Sequence, residues 1–461
     1  MSQKIIDNIE ETVLQTPSEA IEGTIQTSKQ IAKTVSNQRE IKKAVKYWQN
    51  LGPGLTTGAA DDDPSGIATY SQTGAKFGFQ FLWLAPLTFP FMAIVQEMCA
   101  RIGLVTGQGL AANIRTHFPR WVLYLCTFLL FSANSFNIGA DLGAMAKSMQ
   151  LLFPSLNFAI LVLFFAVFCL VLQIFMSYKQ YSKYLKWLTL VLLSYVLVAF
   201  NVPNLDWSSI LKNTLVPSLS FSKDHILIIA AILGTTISPY LFFWQTSQEI
   251  EEEILMGKVS RRERNGTSAN QIKKMRTDVF SGMFFSNLVM YFIIIAAAAT
   301  LFVNGITNIA TASDAAEALR PIAGDRAYLF FTIGIIGTGL LAIPILAGSA
   351  SYAMSESFGW KFGLYRKLKE ASSFYGMIVL SVVIGLAINL LGFDPIKALI
   401  YSAVFNGLVA PVVLIMILLL SSNKNIMGEH ANSLPAKLIG WAITIIMLVV
   451  GAATIISLLG F

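Results

Sequence analysis

Long apolar runs recur along the chain, and nearly all of the charge is gathered in the short stretches between them. About eleven runs approach the ~20 residues that a helix needs to cross a bilayer. They lie near 50–73, 79–101, 120–148, 157–177, 184–202, 225–250, 276–303, 327–353, 372–393, 397–421 and 434–459. Segments 4, 5, 9 and 11 are plain helices of Leu, Val and Phe, as in residues 158–176. Segments 1 and 6 break the pattern with polar residues and a proline.

Segment 1 carries Ala59-Ala60-Asp61-Asp62-Asp63-Pro64-Ser65-Gly66, and segment 6 carries Gly234-Thr235-Thr236-Ile237-Ser238-Pro239-Tyr240. Proline removes a backbone donor and clashes with the preceding turn, so unwinding is predicted at 63–66 and around 236–239. Unwound backbone survives at membrane depth only where it is buried or lines a cavity. Pro239 alone also fits a simple packing kink. The acids before Pro64 do not: each ionised acid near the bilayer centre costs roughly 3 kcal/mol or more, so a cation or internal water must compensate them. The breaks stand five segments apart and are locally alike, Leu55-Thr56-Thr57-Gly58 against Leu233-Gly234-Thr235-Thr236. Five is odd, so repeats over about 50–202 and 225–421 have inverted topology; paired interruptions in such halves point to a transporter's substrate site.

Composition fixes the class. Of 461 residues, 55% are hydrophobic and 13% charged, with mean hydropathy +0.62, against about 25% charged in soluble domains. An all-α polytopic membrane protein is predicted. The net charge of +7 does not indicate nucleic acid, because basic residues fall in alternate loops. Lys42, Lys43 and Lys46 precede segment 1; Arg115 and Arg120 follow segment 2; Lys179, Lys183 and Lys186 follow segment 4. Arg261, Arg262 and Arg264 follow segment 6, and Lys361, Arg366 and Lys369 follow segment 8. Opposite loops are acid-balanced, as in Asp314, Glu317, Arg320 and Asp325. This asymmetry predicts a plasma-membrane protein with its N-terminus in the cytoplasm and its C-terminus outside.

The first residues lack the apolar region of a cleavable signal peptide. Residues 1–46 read as a cytoplasmic tail, either mobile or a surface helix through Ile5, Ile6, Ile9, Val13 and Leu14. Residues 47–428 read as the core and 429–461 as the eleventh helix. Cys99, Cys126 and Cys169 lie in apolar segments and read as buried small side chains.

Segment 3 sets Asn134, Asn137 and Asp141 on one helical face. Asp141 is expected to face the bundle interior, in a functional role or capped by neighbouring hydroxyls. Glu97 and Arg101 have the i,i+4 spacing of a structural ion pair. Glu249, Glu251, Glu252 and Glu253 read as a solvated face able to draw exiting cations. Asn287 and Asn406 are lone amides suited to interhelical hydrogen bonds.

Several motifs resemble the Nramp family of divalent-metal transporters over roughly residues 50–428. They are Gly52-Pro53-Gly54 followed by Asp63-Pro64, Gln96-Glu97-Met98-Cys99-Ala100-Arg101, Val105-Thr106-Gly107, Ala140-Asp141-Leu142 and Ile426-Met427-Gly428. The resemblance implies a leucine-transporter-type fold of two inverted five-helix repeats plus an eleventh helix, and a transporter, not an enzyme. The departures are informative. The family's Asp-Pro-Gly-Asn is here Asp63-Pro64-Ser65-Gly66, and its Met-Pro-His is Ser238-Pro239-Tyr240. A second family histidine aligns with Gln245, and Asp-x-x-Glu becomes Asp141 with Ala144, removing an acid implicated in the family's proton pathway. A divergent branch lacking that methionine handles magnesium, and this chain resembles it in the loss.

A thioether helps select softer transition metals, whereas carboxylate, hydroxyl, carbonyl and water suit Mg²⁺, Ca²⁺ and Mn²⁺. Mg²⁺ keeps several waters and favours a roomy, negatively charged site. His117, His225 and His430 lie at segment ends or in loops, leaving no imidazole at membrane depth. The expectation is import of a hard divalent cation, Mg²⁺ before Mn²⁺, by alternating access and with no cofactor. Asp63 with Asp62 would bind the ion. Carbonyls near Ala60 and Ile237, the hydroxyls of Ser65, Thr236 and Ser238, and retained water would complete its shell, with Tyr240 in the place of the family histidine. Asp141, Asn137, Asn406, Asp61 and Gln245 are candidates for coupling or for supporting the ligands from behind. The membrane potential gives a double charge about 4.6 kcal/mol per 100 mV, so weak or no proton coupling is expected. A second reading is a proton-coupled Mn²⁺/Fe²⁺ symporter using Asp63 and Asp141; a third is an organic-amine symporter of the same fold. The short loops offer no output domain for a sensor. The expected partners are the cation and the bilayer, with no nucleic acid and no oligomer implied.

Overall fold

The computed structural model describes residues 51–176 and 205–459, except 219, 221, 310, 318–323, 325, 326 and 393, and a few positions between 196 and 202. Most of segment 5, the tail 1–46, Lys179, Lys183, Lys186, Arg320 and Asp325 lie outside the described residues. Every regular element among those described is helical. In chain order the helices used below are α1 (Pro53–Asp61), α2 (Pro64–Phe77), α3 (Leu84–Thr106), α4 (Leu110–His117), α5 (Arg120–Leu152) and α6 (Phe158–Phe175). They continue with α7 (Lys223–Thr236), α8 (Pro239–Leu255), α9 (Ala269–Ala297), α10 (Ala327–Phe358), α11 (Ser372–Leu390), α12 (Pro395–Ser422) and α13 (Leu434–Leu458).

Both predicted breaks are present. Segment 1 divides into α1 and α2, and segment 6 into α7 and α8. Pro64 and Pro239 open α2 and α8, where a missing N–H leaves no bond unmade. Segment 2 starts later than expected, at Leu84. Gly78 adopts a left-handed φ of 58° that closes α2, and turns occupy 79–83 before α3 begins. The plain helices α6, α11 and α13 bury only 33% of their apolar windows, as lipid-facing helices do.

The packing has the symmetry of inverted halves. α2 packs along α9 while α8 packs along α3, and α5 and α10, third in their respective halves, pack on each other. Glycines set the closest crossings. A Cβ on Gly58 would lie 2.2 Å from the Gly282 carbonyl oxygen, and one on Gly234 would lie 2.0 Å from that of Ala403. The start of α1 is held by Asp278 of α9, whose carboxylate accepts from the N–H groups of Gly54 at 2.8 Å and Leu55 at 3.3 Å. Those are two of the donors that a helix start leaves without intrahelical partners.

Glu97 and Arg101 pair at 3.0 Å as expected, and Arg276 joins them at 2.8 Å. The three cysteines are free and buried. The solvated-face reading of 249–253 is corrected: Glu249, Glu251 and Glu253 are buried. α10 and the chain after it cover this end of α8. Glu251 accepts from the Tyr352 hydroxyl at 2.5 Å and the Leu364 N–H at 2.8 Å, and Glu253 pairs with Lys258 at 2.7 Å.

Candidate functional site

The break in segment 1 places Asp63 at the N-cap of α2, with φ −65° and ψ 172°. One carboxylate oxygen, Oδ1, accepts from the Ser65 hydroxyl and the Gly66 N–H, both at 2.7 Å. The other, Oδ2, accepts from Asn137 Nδ2 at 2.9 Å, and Asn137 Oδ1 accepts from the Ser402 hydroxyl at 2.8 Å. Asp63 thus sits at the positive end of α2 and is linked through α5 to α12.

The neighbouring groups are less satisfied. Asp61 accepts from the Ser286 hydroxyl of α9 at 2.7 Å through Oδ2 alone. Its Oδ1, both oxygens of Asp62 and both of Asp141 have no hydrogen-bond partner among the described residues, although all three side chains are fully buried. Asp141 lies one turn beyond Asn137, the residue that holds Asp63, on the same face of α5. Asn406, one turn beyond Ser402 on α12, is likewise buried and unpartnered at both amide atoms. The interhelical hydrogen bond expected of Asn406 is therefore absent among the described residues. Asn287 makes its own: it accepts from Thr88 at 3.1 Å and contacts the sulfur of Met92. Buried polar groups without partners are rare enough to mark a place for water or a ligand.

On the other break, Thr236 donates to the Ile232 carbonyl at 2.8 Å, and Ser238 to those of Gly234 at 2.7 Å and Thr235 at 2.8 Å. Ile237 closes α7 with its N–H on the Leu233 carbonyl at 2.9 Å. Tyr240 reaches across and donates its phenol to the Ala60 carbonyl at 2.7 Å. Gly66 allows close approach: a Cβ there would meet the Asp61 carbonyl at 3.0 Å and Thr235 Oγ1 at 3.1 Å. The two breaks therefore abut. Ala60, the three acids, Ser65, Asn137, Asp141 and Tyr240 are brought together, whereas Gln245 turns along α8 to donate to Glu249 at 2.9 Å. Ser286 and Ser402 were not singled out from sequence. Their signal is weak: each is a serine beside, or one turn from, a lone amide.

Among the described residues, no three His, Cys, Asp or Glu side chains converge tightly enough to form a metal site on their own. A cation at the breaks would need carbonyl, hydroxyl, amide or water oxygens besides its carboxylates. Tyr240→Phe leaves the Ala60 carbonyl without this donor at little change in shape. It is expected to destabilise the protein by about 1–3 kcal/mol, read as a lower melting temperature of the purified chain. An unchanged melt would show that water replaces the phenol.

A sequence profile described as natural resistance-associated macrophage protein-like (Nramp) matches residues 54–457. The chain belongs to the Nramp-like family. A divalent metal cation transporter MntH of Klebsiella pneumoniae subsp. pneumoniae is 28% identical over 431 residues, covering 92% of this chain and 96% of the relative. Among solved structures, the Eremococcus coleocola manganese transporter with an aromatic bis-isothiourea substituted compound superposes with a TM-score of 0.71. It is 18% identical, and the match covers 90% of this chain and 87% of that one. A nucleobase-cation-symport-1 family transporter in a closed conformation superposes with a TM-score of 0.56 at 14% identity, covering 88% and 91%. These structural likenesses concern the fold: the Nramp-like chain has the leucine-transporter-type arrangement of inverted five-helix repeats with an eleventh helix.

Proposed function

We propose that this Nramp-like chain imports a hard divalent cation, Mg²⁺ ahead of Mn²⁺, through the plasma membrane by alternating access. Family membership makes the chain a multi-pass divalent metal cation transporter and not an enzyme, with the metal as its substrate. In the proposed transporter, 47–428 form the core, 429–461 the eleventh helix, and the basic-loop face is cytoplasmic. The observation that carries it is the chemistry of the abutting breaks. Where the family places a methionine this chain has Ser238, and the ligands proposed on the two breaks are all oxygens: those of Asp62, Asp63, Ser65, Thr236 and Ser238 and the carbonyls of Ala60 and Ile237. Oxygen donors without thioether or imidazole suit a hard, partly hydrated ion.

In this reading Asp63 is held ready by Ser65, Gly66 and Asn137, so its charge needs no rearrangement when the ion arrives. Asp62 supplies the second charge, and Asp61 and Asn406 hold water around the ion. A specific observation favours the second reading, proton-coupled Mn²⁺ transport: Asp141 is a buried, unpartnered acid one turn from the Asn137 that holds Asp63. Uptake into proteoliposomes with an internal pH dye separates the two. The Mg²⁺ reading expects Mg²⁺ uptake, competition of Mn²⁺ uptake by millimolar Mg²⁺, and no stoichiometric acidification. Indifference to Mg²⁺ together with acidification lost in Asp141→Asn would overturn it. Ser238→Met is expected to move the preference toward Mn²⁺ and Cd²⁺ by about tenfold, since the added thioether favours softer ions.

A further inference from the structure

A cavity of about 460 Å³ opens between the ends of α3, α8 and α10, on the face that carries the basic loops. None of the residues at the two helix breaks lines it. Its charge distinguishes it. Arg115, Arg261, Arg264, Lys361 and Arg366 line the cavity, against two acids, Glu251 and Glu356. Both acids are turned to backbone. Glu356 accepts from the Ala112 N–H in the first turn of α4 at 3.0 Å, and Glu251 holds the N–H groups of Leu364 at 2.8 Å and Tyr365 at 3.2 Å.

The cations are not neutralised by these acids. Among the described residues, none of the five lies within ion-pair distance of a carboxylate. Arg264 donates to the carbonyls of Lys258 at 3.0 Å and Val259 at 2.6 Å, and Arg115 donates to that of Glu356 at 2.9 Å. Arg366 keeps a buried Nε with no acceptor, and its guanidinium lies 4.9 Å from the Tyr365 ring. Trp360, stacked on Phe358 at 5.0 Å, supplies a second aromatic surface to the same wall.

Five cations against two acids disfavour a dication and favour an anion of several charges. Guanidinium forks match phosphate oxygens. Aromatic faces at 360 and 365 suit a planar base, to which stacking contributes about 1–3 kcal/mol. The volume lies within the roughly 300–1,000 Å³ usual for small-ligand pockets. We propose that the cavity binds a nucleoside triphosphate, with its phosphates on Arg115, Lys361 and Arg366 and its base against Trp360 and Tyr365. The bound nucleotide would tie α4, α8, α10 and residues 359–366 together and so restrain their relative motion. The proposal does not rest on which cation is carried.

Calorimetric titration of the purified full-length chain tests it, using ATP in EDTA so that no metal occupies the helix breaks. Tripolyphosphate and a short-chain phosphoinositide in parallel cells separate nucleotide from bare phosphate and lipid headgroup. ATP is expected to bind. Arg366→Gln with Lys361→Gln is expected to weaken it by about tenfold or more, leaving the melting temperature and nucleotide-free metal uptake unchanged. Trp360→Ala is expected to weaken ATP and leave tripolyphosphate untouched. No ATP binding at millimolar concentration, binding indifferent to the double substitution, or binding of the phosphoinositide alone would each overturn the proposal.

Discussion

Asp63→Asn is expected to cut Mg²⁺ uptake by about a hundredfold, a loss of roughly 2.8 kcal/mol, while the protein still folds. The amide keeps an acceptor for Ser65 and Gly66, but its NH₂ then faces Asn137 Nδ2, which now donates to Oδ2 at 2.9 Å. Turning Asn137 over relieves the donor–donor contact: its NH₂ then donates to the Ser402 oxygen, whose own hydrogen goes to the Leu399 carbonyl at 2.7 Å. The substitution therefore removes the charge proposed to meet the ion and turns its supporting amide over. Pairing Asp63→Asn with Asn137→Asp separates the two effects. The exchange restores a donor–acceptor match and is expected to recover thermal stability but not uptake. Uptake in Asp63→Asn at a third or more of wild type would remove this carboxylate from the ion's path.

Gly282→Ala is expected to be among the most damaging single methyl additions to the described chain. Its Cβ would lie 2.0 Å from the Gly54 carbonyl oxygen and 2.5 Å from the carbonyl carbon, where ordinary contact begins at 3.4 Å. Both partners are backbone, so no rotamer relieves the clash and α1 must move away from α9. Overpacking usually costs about 1–3 kcal/mol and occasionally more, and here a second loss follows. Asp278 lies one turn before Gly282 and holds the start of α1 through Gly54 and Leu55, so displacing α1 strains that cap as well. The expected result is little or no monodisperse protein by size-exclusion chromatography. Gly376→Ala is the matched control, because nothing lies within 4 Å of the position a Cβ would take there. A Gly282→Ala protein that melts with the wild type would show that the crossing is looser than this geometry.

What could be read from the sequence was what depends on neighbours along the chain. Acids beside a proline, and a proline after Thr-Thr-Ile-Ser, are local signals, so the break at 237–238 falls where expected and that at 62–63 just before the expected 63–66, with Pro64 to Gly66 already in α2. The stripe of Asn134, Asn137 and Asp141 follows from helical spacing alone. What could not be read depends on distant partners. Ser402 reaches Asn137 from 265 positions away, and Ser286 reaches Asp61 from 225. No period or spacing announces either. Glu251 looked solvated because the helix end is acidic; it is buried because Tyr352 and the N–H groups of Leu364 and Tyr365 close over it. The late start of α3 turned on one left-handed glycine, Gly78.

The bond from Tyr240 to the Ala60 carbonyl bears on the half of a carrier's cycle in which nothing is carried. A carbonyl at a helix break that only an ion could satisfy would stand bare once the ion left. A bare carbonyl in a water-poor interior costs about 1–3 kcal/mol. Such a carrier would cling to its cargo or stall on the way back. Here the phenol is already in place at 2.7 Å. Under the proposed site it yields the carbonyl to an arriving ion and reclaims it on departure, so the unloaded protein turns around with its backbone satisfied.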